Sequence, residues 1–137
     1  MGTTVKDVMT RDVEACEPNA SVREAAELMA RKDVGPIPIV EDGTLVGIVT
    51  DRDIVIRVIA EGREPEQTTV GEISSKELVT VSPDDDFEDA MRLLAEHQVR
   101  RLPVVEEDRL VGILAQADIA RVGKDAKTGE VVEEISR

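Results

Sequence analysis

The chain has no tryptophan, no tyrosine and a single phenylalanine, Phe87, so its core must be assembled from Val, Ile, Leu, Ala and Met. Aromatic platforms on which nucleobases stack are thereby nearly excluded. Cys16, the lone cysteine, cannot close an internal disulfide, and with His97 as the lone histidine no thiolate–imidazole zinc cluster can form within one chain. No local signature suggests a Ser-His-Asp or Cys-His arrangement, and no Gly-Lys-Ser/Thr marks a P-loop. The expectation is therefore a protein that is not an enzyme and needs neither metal nor cofactor. Long apolar runs are also missing: the longest stretch without Asp, Glu, Lys or Arg is 8 residues, at 43–50 and again at 110–117. A membrane span needs roughly 18. Without a signal-peptide pattern, a cytoplasmic protein with no membrane attachment is expected. Positive charge is scarce too, with 17 basic against 30 acidic groups and a net charge of −13. Such a field opposes a phosphate backbone, so nucleic acid is not expected as a partner.

What the chain does have is a repeat. Residues 5–57 lie over residues 70–122 at a constant offset of 65 without gaps. Identical pairs include Val5/Val70, Pro18/Pro83, Ala25/Ala90, Pro38/Pro103, Gly47/Gly112, Ile48/Ile113 and Asp53/Asp118. The sequence divides into repeat 1 at 1–61, a linker at 62–69, repeat 2 at 70–123 and a charged tail at 124–137. The linker holds Gly62 and Pro65, and the tail offers only Val131, Val132 and Ile135 for burial.

Each copy follows one plan. A strand-like stretch at 12–16 or 77–81 is closed by Pro18 or Pro83. A helix follows, opened by Ser21-Val22-Arg23-Glu24 as a capping box in repeat 1 and by Asp84, Asp85 and Asp86 in repeat 2. Two β-branched runs come next, joined in repeat 1 by an Asp42-Gly43 hairpin signal. A second helix starts at Thr50 and carries Ile54, Val55, Val58 and Ile59. The fold class is α+β: two β-α-β-β-α repeats, packed with pseudo-twofold symmetry because each is marginal alone. Clefts between such halves suit a small ligand.

Two segments, repeated in order, carry a family resemblance. They are Gly35-Pro36-Ile37-Pro38-Ile39-Val40 with Arg100-Arg101-Leu102-Pro103-Val104-Val105, and Leu45-Val46-Gly47-Ile48-Val49-Thr50-Asp51-Arg52-Asp53 with Leu110-Val111-Gly112-Ile113-Leu114-Ala115-Gln116-Ala117-Asp118. Each copy resembles a CBS domain, and the pair resembles a Bateman module. The resemblance implies a regulatory module for adenosine-containing ligands such as AMP, ATP or S-adenosylmethionine, commonly dimeric.

Carried over residue by residue, the family's Gly-x-x-Ser/Thr-x-x-Asp pattern falls on Gly47, Thr50 and Asp53. An ionised carboxylate accepts from ribose hydroxyls, and a threonine hydroxyl suits a phosphate oxygen. Arg52 lies between them as a charge donor, and Thr50-x-x-Asp53 is equally a helix-start box. In repeat 2 the threonine is Ala115 while Asp118 remains, so a weaker second site is expected there. Gly35 and Pro36 fit the edge of a flat purine, or an ordinary strand start. Arg100 and Arg101 stand in their places in repeat 2, either as a phosphate clamp or as surface partners of Glu96, Glu106 or Glu107. His97 reads as a helix-end residue. The expected function is a sensor whose ligand sits between the repeats and biases their relative orientation. The alternative is a ligand-free module for dimerisation and for an unknown protein partner.

Overall fold

A computed structural model describes residues 2–116 and Asp118. The tail expected over 124–137 lies outside the described residues. The chain forms two compact units whose limits differ from those of the sequence repeats. A contiguous unit comprises Glu14–Leu78, and a split unit joins Met1–Val13 to the chain from Val79 onward.

In the contiguous unit, helix α2 (Val22–Lys32) precedes an antiparallel hairpin of β1 (Ile37–Glu41) and β2 (Thr44–Val49). Helix α3 (Asp51–Ile54) then runs into a π-helical stretch, Val55–Ile59, and α4 (Val70–Ile73) follows. The split unit repeats the plan with α1 (Val5–Val8), α5 (Phe87–His97) and the hairpin of β3 (Arg101–Glu106) and β4 (Arg109–Ala115). Both units are thus α+β. The β1–β2 turn uses Asp42 and Gly43 at positive φ, the geometry of a two-residue hairpin. Its counterpart takes the same path through Glu107 and Asp108, with no glycine.

The strands expected at 12–16 and 77–81 shrink to single parallel bridges, Cys16 with Ile39 and Val81 with Val104. Backbone chemistry explains this. Cys16 N–H donates to Pro38 O and Val40 N–H to Cys16 O. Extending that parallel ladder either way requires an N–H from Pro18 or from Pro38, and proline has none. Pro83 and Pro103 truncate the Val81 bridge in the same manner.

Two cores form. Val22, Ala25, Leu28, Ile37, Ile39 and Val49 meet Val70 and Ile73 of α4 in one. Phe87, Leu94, Leu102, Val104 and Leu114 meet Val5 and Val8 of α1, with Met9, in the other. The short helix that opens each sequence repeat therefore completes the core built by the other repeat. Matching backbone bonds hold both: Val5 N–H donates to Asp85 O as Val70 N–H does to Ala20 O, and Lys6 N–H to Pro83 O as Gly71 N–H does to Pro18 O. Four-residue helices cannot persist alone. Each has a capping box, Thr4 with Asp7 and Thr69 with Glu72. Hydrogen bonds from the threonine N–H and hydroxyl lower the Asp7 carboxyl below its ordinary value, and Glu72 is lowered likewise with help from Arg63.

Of Ile54, Val55, Val58 and Ile59, which the second helix was expected to carry, only Val58 is fully buried. The wider π turn takes the other positions out of helical phase. Val55, Ile56 and Ile59 are 58%, 44% and 60% exposed. In the acidic run before α5 the three carboxylates take different partners. Asp84 pairs with Lys6, Asp85 accepts from Ser82 N–H, and Asp86 sits at the N-cap without a side-chain cap bond.

Candidate functional site

The residues singled out in the sequence fall at two equivalent corners, one in each unit. In the contiguous unit β1 begins where β2 ends, since Ile37 pairs with Val49, and α3 starts directly afterwards. Thr50 is the N-cap: Asp53 N–H donates to its Oγ1 at 3.1 Å, and Thr50 N–H donates to Asp53 Oδ2 at 2.9 Å. That reciprocal box holds the Asp53 carboxylate half-buried at the strand end. Its second oxygen, Oδ1, accepts no hydrogen bond among the described residues and has Arg57 Nε 4.0 Å away. Arg57 in turn donates to Ile73 O at the end of α4. Gly35 lies against this corner, where an added Cβ would come within 3.1 Å of Asp51 Oδ1. Pro36 is half-buried just before β1, and Arg52 is exposed on α3.

In the split unit Arg101 opens β3 opposite Ala115, the last residue of β4, and Gln116 N–H donates to Arg100 O at 2.9 Å. Arg100 is exposed and Arg101 half-buried. Among the described residues neither forms an ion pair, so pairing with Glu96, Glu106 or Glu107 is not what holds them. Asp118 keeps its capping bond despite the alanine, because Ala115 N–H donates to Oδ2 at 2.9 Å. Its Oδ1 accepts from the Thr10 hydroxyl at 3.3 Å.

Thus the structure groups Gly35, Pro36, Thr50, Arg52 and Asp53 at one corner and Arg100, Arg101 and Asp118 at the other. Gly47 has a packing reason: a Cβ there would lie 3.0 Å from Ser74 Oγ and 3.2 Å from Ser75 O, where the chain leaving α4 bridges Ile48. Thr10 and Arg57 were not singled out in the sequence. Thr10 could have been found, because it aligns with Ser75 and both positions carry a hydroxyl. His97 is the last residue of α5 and exposed.

A cavity of about 590 Å³ in the contiguous unit is lined by Cys16, Leu28, Arg31 and the carboxylates of Glu14, Glu17, Glu24 and Glu27. Burial, and then Glu24 and Glu14, push the Cys16 thiol above its ordinary value, which suppresses the reactive thiolate. Among the described residues no three His, Cys, Asp or Glu side chains are placed to hold a metal ion, and no helix is long and apolar enough to cross a membrane.

Two small α+β units, each with an aspartate just past the end of its hairpin, define a tandem-repeat architecture. The CBS domain family model matches residues 5–60 and again 70–125. The chain belongs to the CBS-domain family. It is 50% identical over 118 residues to the CBS domain-containing protein YhcV of Bacillus subtilis, covering 86% of this chain and 84% of that one. Hypoxic response protein 1 of Mycobacterium tuberculosis is 40% identical over 120 residues, covering 87% and 84%. Its crystal structure with two coordinated zinc ions superposes with a TM-score of 0.78 over 88% of this chain and 98% of that one. The crystal structure of CBSX2 in complex with AMP superposes with a TM-score of 0.81 at 34% identity, over 92% and 99%.

Proposed function

We propose that this chain is a non-enzymatic regulatory module that binds an adenosine-containing ligand, AMP, ADP, ATP or S-adenosylmethionine, at the Thr50–Asp53 corner. The observation that carries the reading is the state of Asp53. A capping box fixes its carboxylate through Oδ2, while Oδ1, which accepts no hydrogen bond among the described residues and has Arg57 Nε 4.0 Å away, can accept from vicinal ribose hydroxyls. The Thr50 hydroxyl accepts from Asp53 N–H and keeps its own proton for a phosphate oxygen. The AMP complex of CBSX2 supports this ligand class and weighs against a module with no ligand. Signalling follows if the ligand prefers one arrangement of the two repeats. A tenfold preference amounts to about 1.4 kcal/mol.

Calorimetric titration with AMP, ADP, ATP and S-adenosylmethionine tests the reading. At least one ligand is expected to release heat with the wild type and to bind Asp53→Asn roughly ten- to a hundredfold more weakly, the worth of a hydrogen bond to a charged group. Asparagine retains an oxygen for Thr50 N–H, so the fold is preserved. Silence across the panel, or equal affinity in the variant, overturns it.

A homodimer is part of the proposal. Val55, Ile56 and Ile59 form an exposed apolar strip that a second copy would cover. Sedimentation is expected to show a dimer that Ile59→Glu converts to monomer; a monomeric wild type contradicts it.

A further inference from the structure

Within the contiguous unit, one side chain joins Asp53 to the end of α4. Arg57, in the π-helical stretch, donates from Nη1 to Ile73 O at 3.2 Å and holds Nε 4.0 Å from Asp53 Oδ1. Ile73 O lies in the last turn of α4, where carbonyls have no partner inside the helix and must take one from outside. For a helix of four residues, outside partners supply most of the hold. Val70 N–H donates to Ala20 O and Gly71 N–H to Pro18 O at its start, Lys76 Nζ donates to Gly71 O, and Arg63 pairs with Glu72 at 2.8 Å. Of these partners, Arg57 is the one that also faces Asp53.

We propose that Arg57 is a latch on α4: it holds the last turn of that helix while its guanidinium faces Asp53, and a ligand that engages Asp53 releases it. The release rests on the ligand class proposed above; the latch itself does not. Asp53 is fixed by the Thr50 box and its side chain is 17% exposed, whereas that of Arg57 is 51% exposed, so the arginine is the partner that moves. A diol donating to Oδ1 takes up acceptor charge that the guanidinium faces, and a ligand phosphate draws the same cation outward. Nη1 then leaves Ile73 O, and the last turn of α4 opens to water. Because Val70 and Ile73 complete the core built by α2, β1 and β2, that opening is transmitted to the packing of the whole unit. Linkage makes the coupling reciprocal: whatever unlatches α4 also favours the ligand.

Amide hydrogen exchange on the full chain tests this at Val70, Gly71 and Ser75, whose N–H groups bond Ala20 O, Pro18 O and Ile48 O. Arg57→Met keeps the apolar stem without the guanidinium; free of ligand, it is expected to exchange roughly three- to tenfold faster at these amides, the worth of one hydrogen bond, while β1 keeps its wild-type rates. Asp53→Asn should quicken the same amides by less, and the double variant should exchange no faster than Arg57→Met, the non-additivity of two groups that act together. Saturating AMP should bring the wild type up to the rates of Arg57→Met and leave Arg57→Met unchanged. Wild-type rates in Arg57→Met, or additive effects in the double variant, overturn the latch whether or not AMP binds. AMP that binds with heat but leaves or slows exchange at Val70 and Gly71 overturns the release alone. No heat with AMP overturns the ligand reading and the release with it, and the ligand-free comparison still decides the latch.

Discussion

Removal of residues 2–13 is expected to abolish tertiary packing in the split unit and to leave the contiguous unit's core intact. The deletion takes Val5, Val8 and Met9, all 9% exposed or less, out of the core of Phe87, Leu94, Leu102 and Leu114. Each such side chain contributes about 1.5–3 kcal/mol when buried, so the loss for the three is roughly 4.5–9 kcal/mol. That matches the whole stability of many domains, about 5–15 kcal/mol. The bonds to Asp85 O, Pro83 O and Ile113 O go with it. Amide hydrogen exchange reads the result by element: protection should fall in α5, β3 and β4 and survive in α2, β1 and β2. Were each sequence repeat self-contained, the loss would fall instead on α2, β1 and β2, and that pattern contradicts the account.

Substitution of the paired glycines by alanine is expected to give unequal losses. A Cβ on Gly112 would stand 2.9 Å from Thr10 O and 2.6 Å from Met9 Sδ; on Gly47 the nearest atoms are Ser74 Oγ at 3.0 Å and Ser75 O at 3.2 Å. Methionine can swing aside, but a backbone carbonyl already bonded to Ile113 N–H cannot. Overpacking costs about 1–3 kcal/mol. Gly112→Ala belongs near 3 kcal/mol and Gly47→Ala near 1 kcal/mol on that scale. Chemical denaturation of both variants measures the difference, and a larger loss for Gly47→Ala contradicts the geometry described. Because the strain in Gly112→Ala falls on Thr10, that variant should also loosen the contact to Asp118.

Local features of the fold were legible because short-range chemistry specifies them. Asp42-Gly43 reads as a tight turn, and Thr50-x-x-Asp53 reads as a helix start and is one. The four prolines at 18, 38, 83 and 103 were visible as well. Their joint effect was not, since it appears only once Cys16 and Val81 are in register with the strands they bridge. Which core Val5 and Val70 enter could not be read at all: a gapless offset of 65 fits equally whether each opening helix packs on its own repeat or on the other. The π-helical stretch was missed because the apolar spacing of Ile54, Val55, Val58 and Ile59 suits an ordinary helix face. At the candidate site the two aspartates were visible in the motif, while the close approach of Ser74 and Ser75 to Gly47 was not. Thr10 lies over a hundred residues from Asp118 in the sequence, a separation no local pattern reports.

The Asp53 corner is tested most directly by amide NMR on the full chain during titration with AMP. Shifts concentrated at Gly35 and from Thr50 through Asp53, saturating with the calorimetric affinity, are the predicted result. Saturating shifts confined to Cys16, Glu24 and Leu28 around the acidic cavity, with Thr50 and Asp53 unmoved, would contradict it.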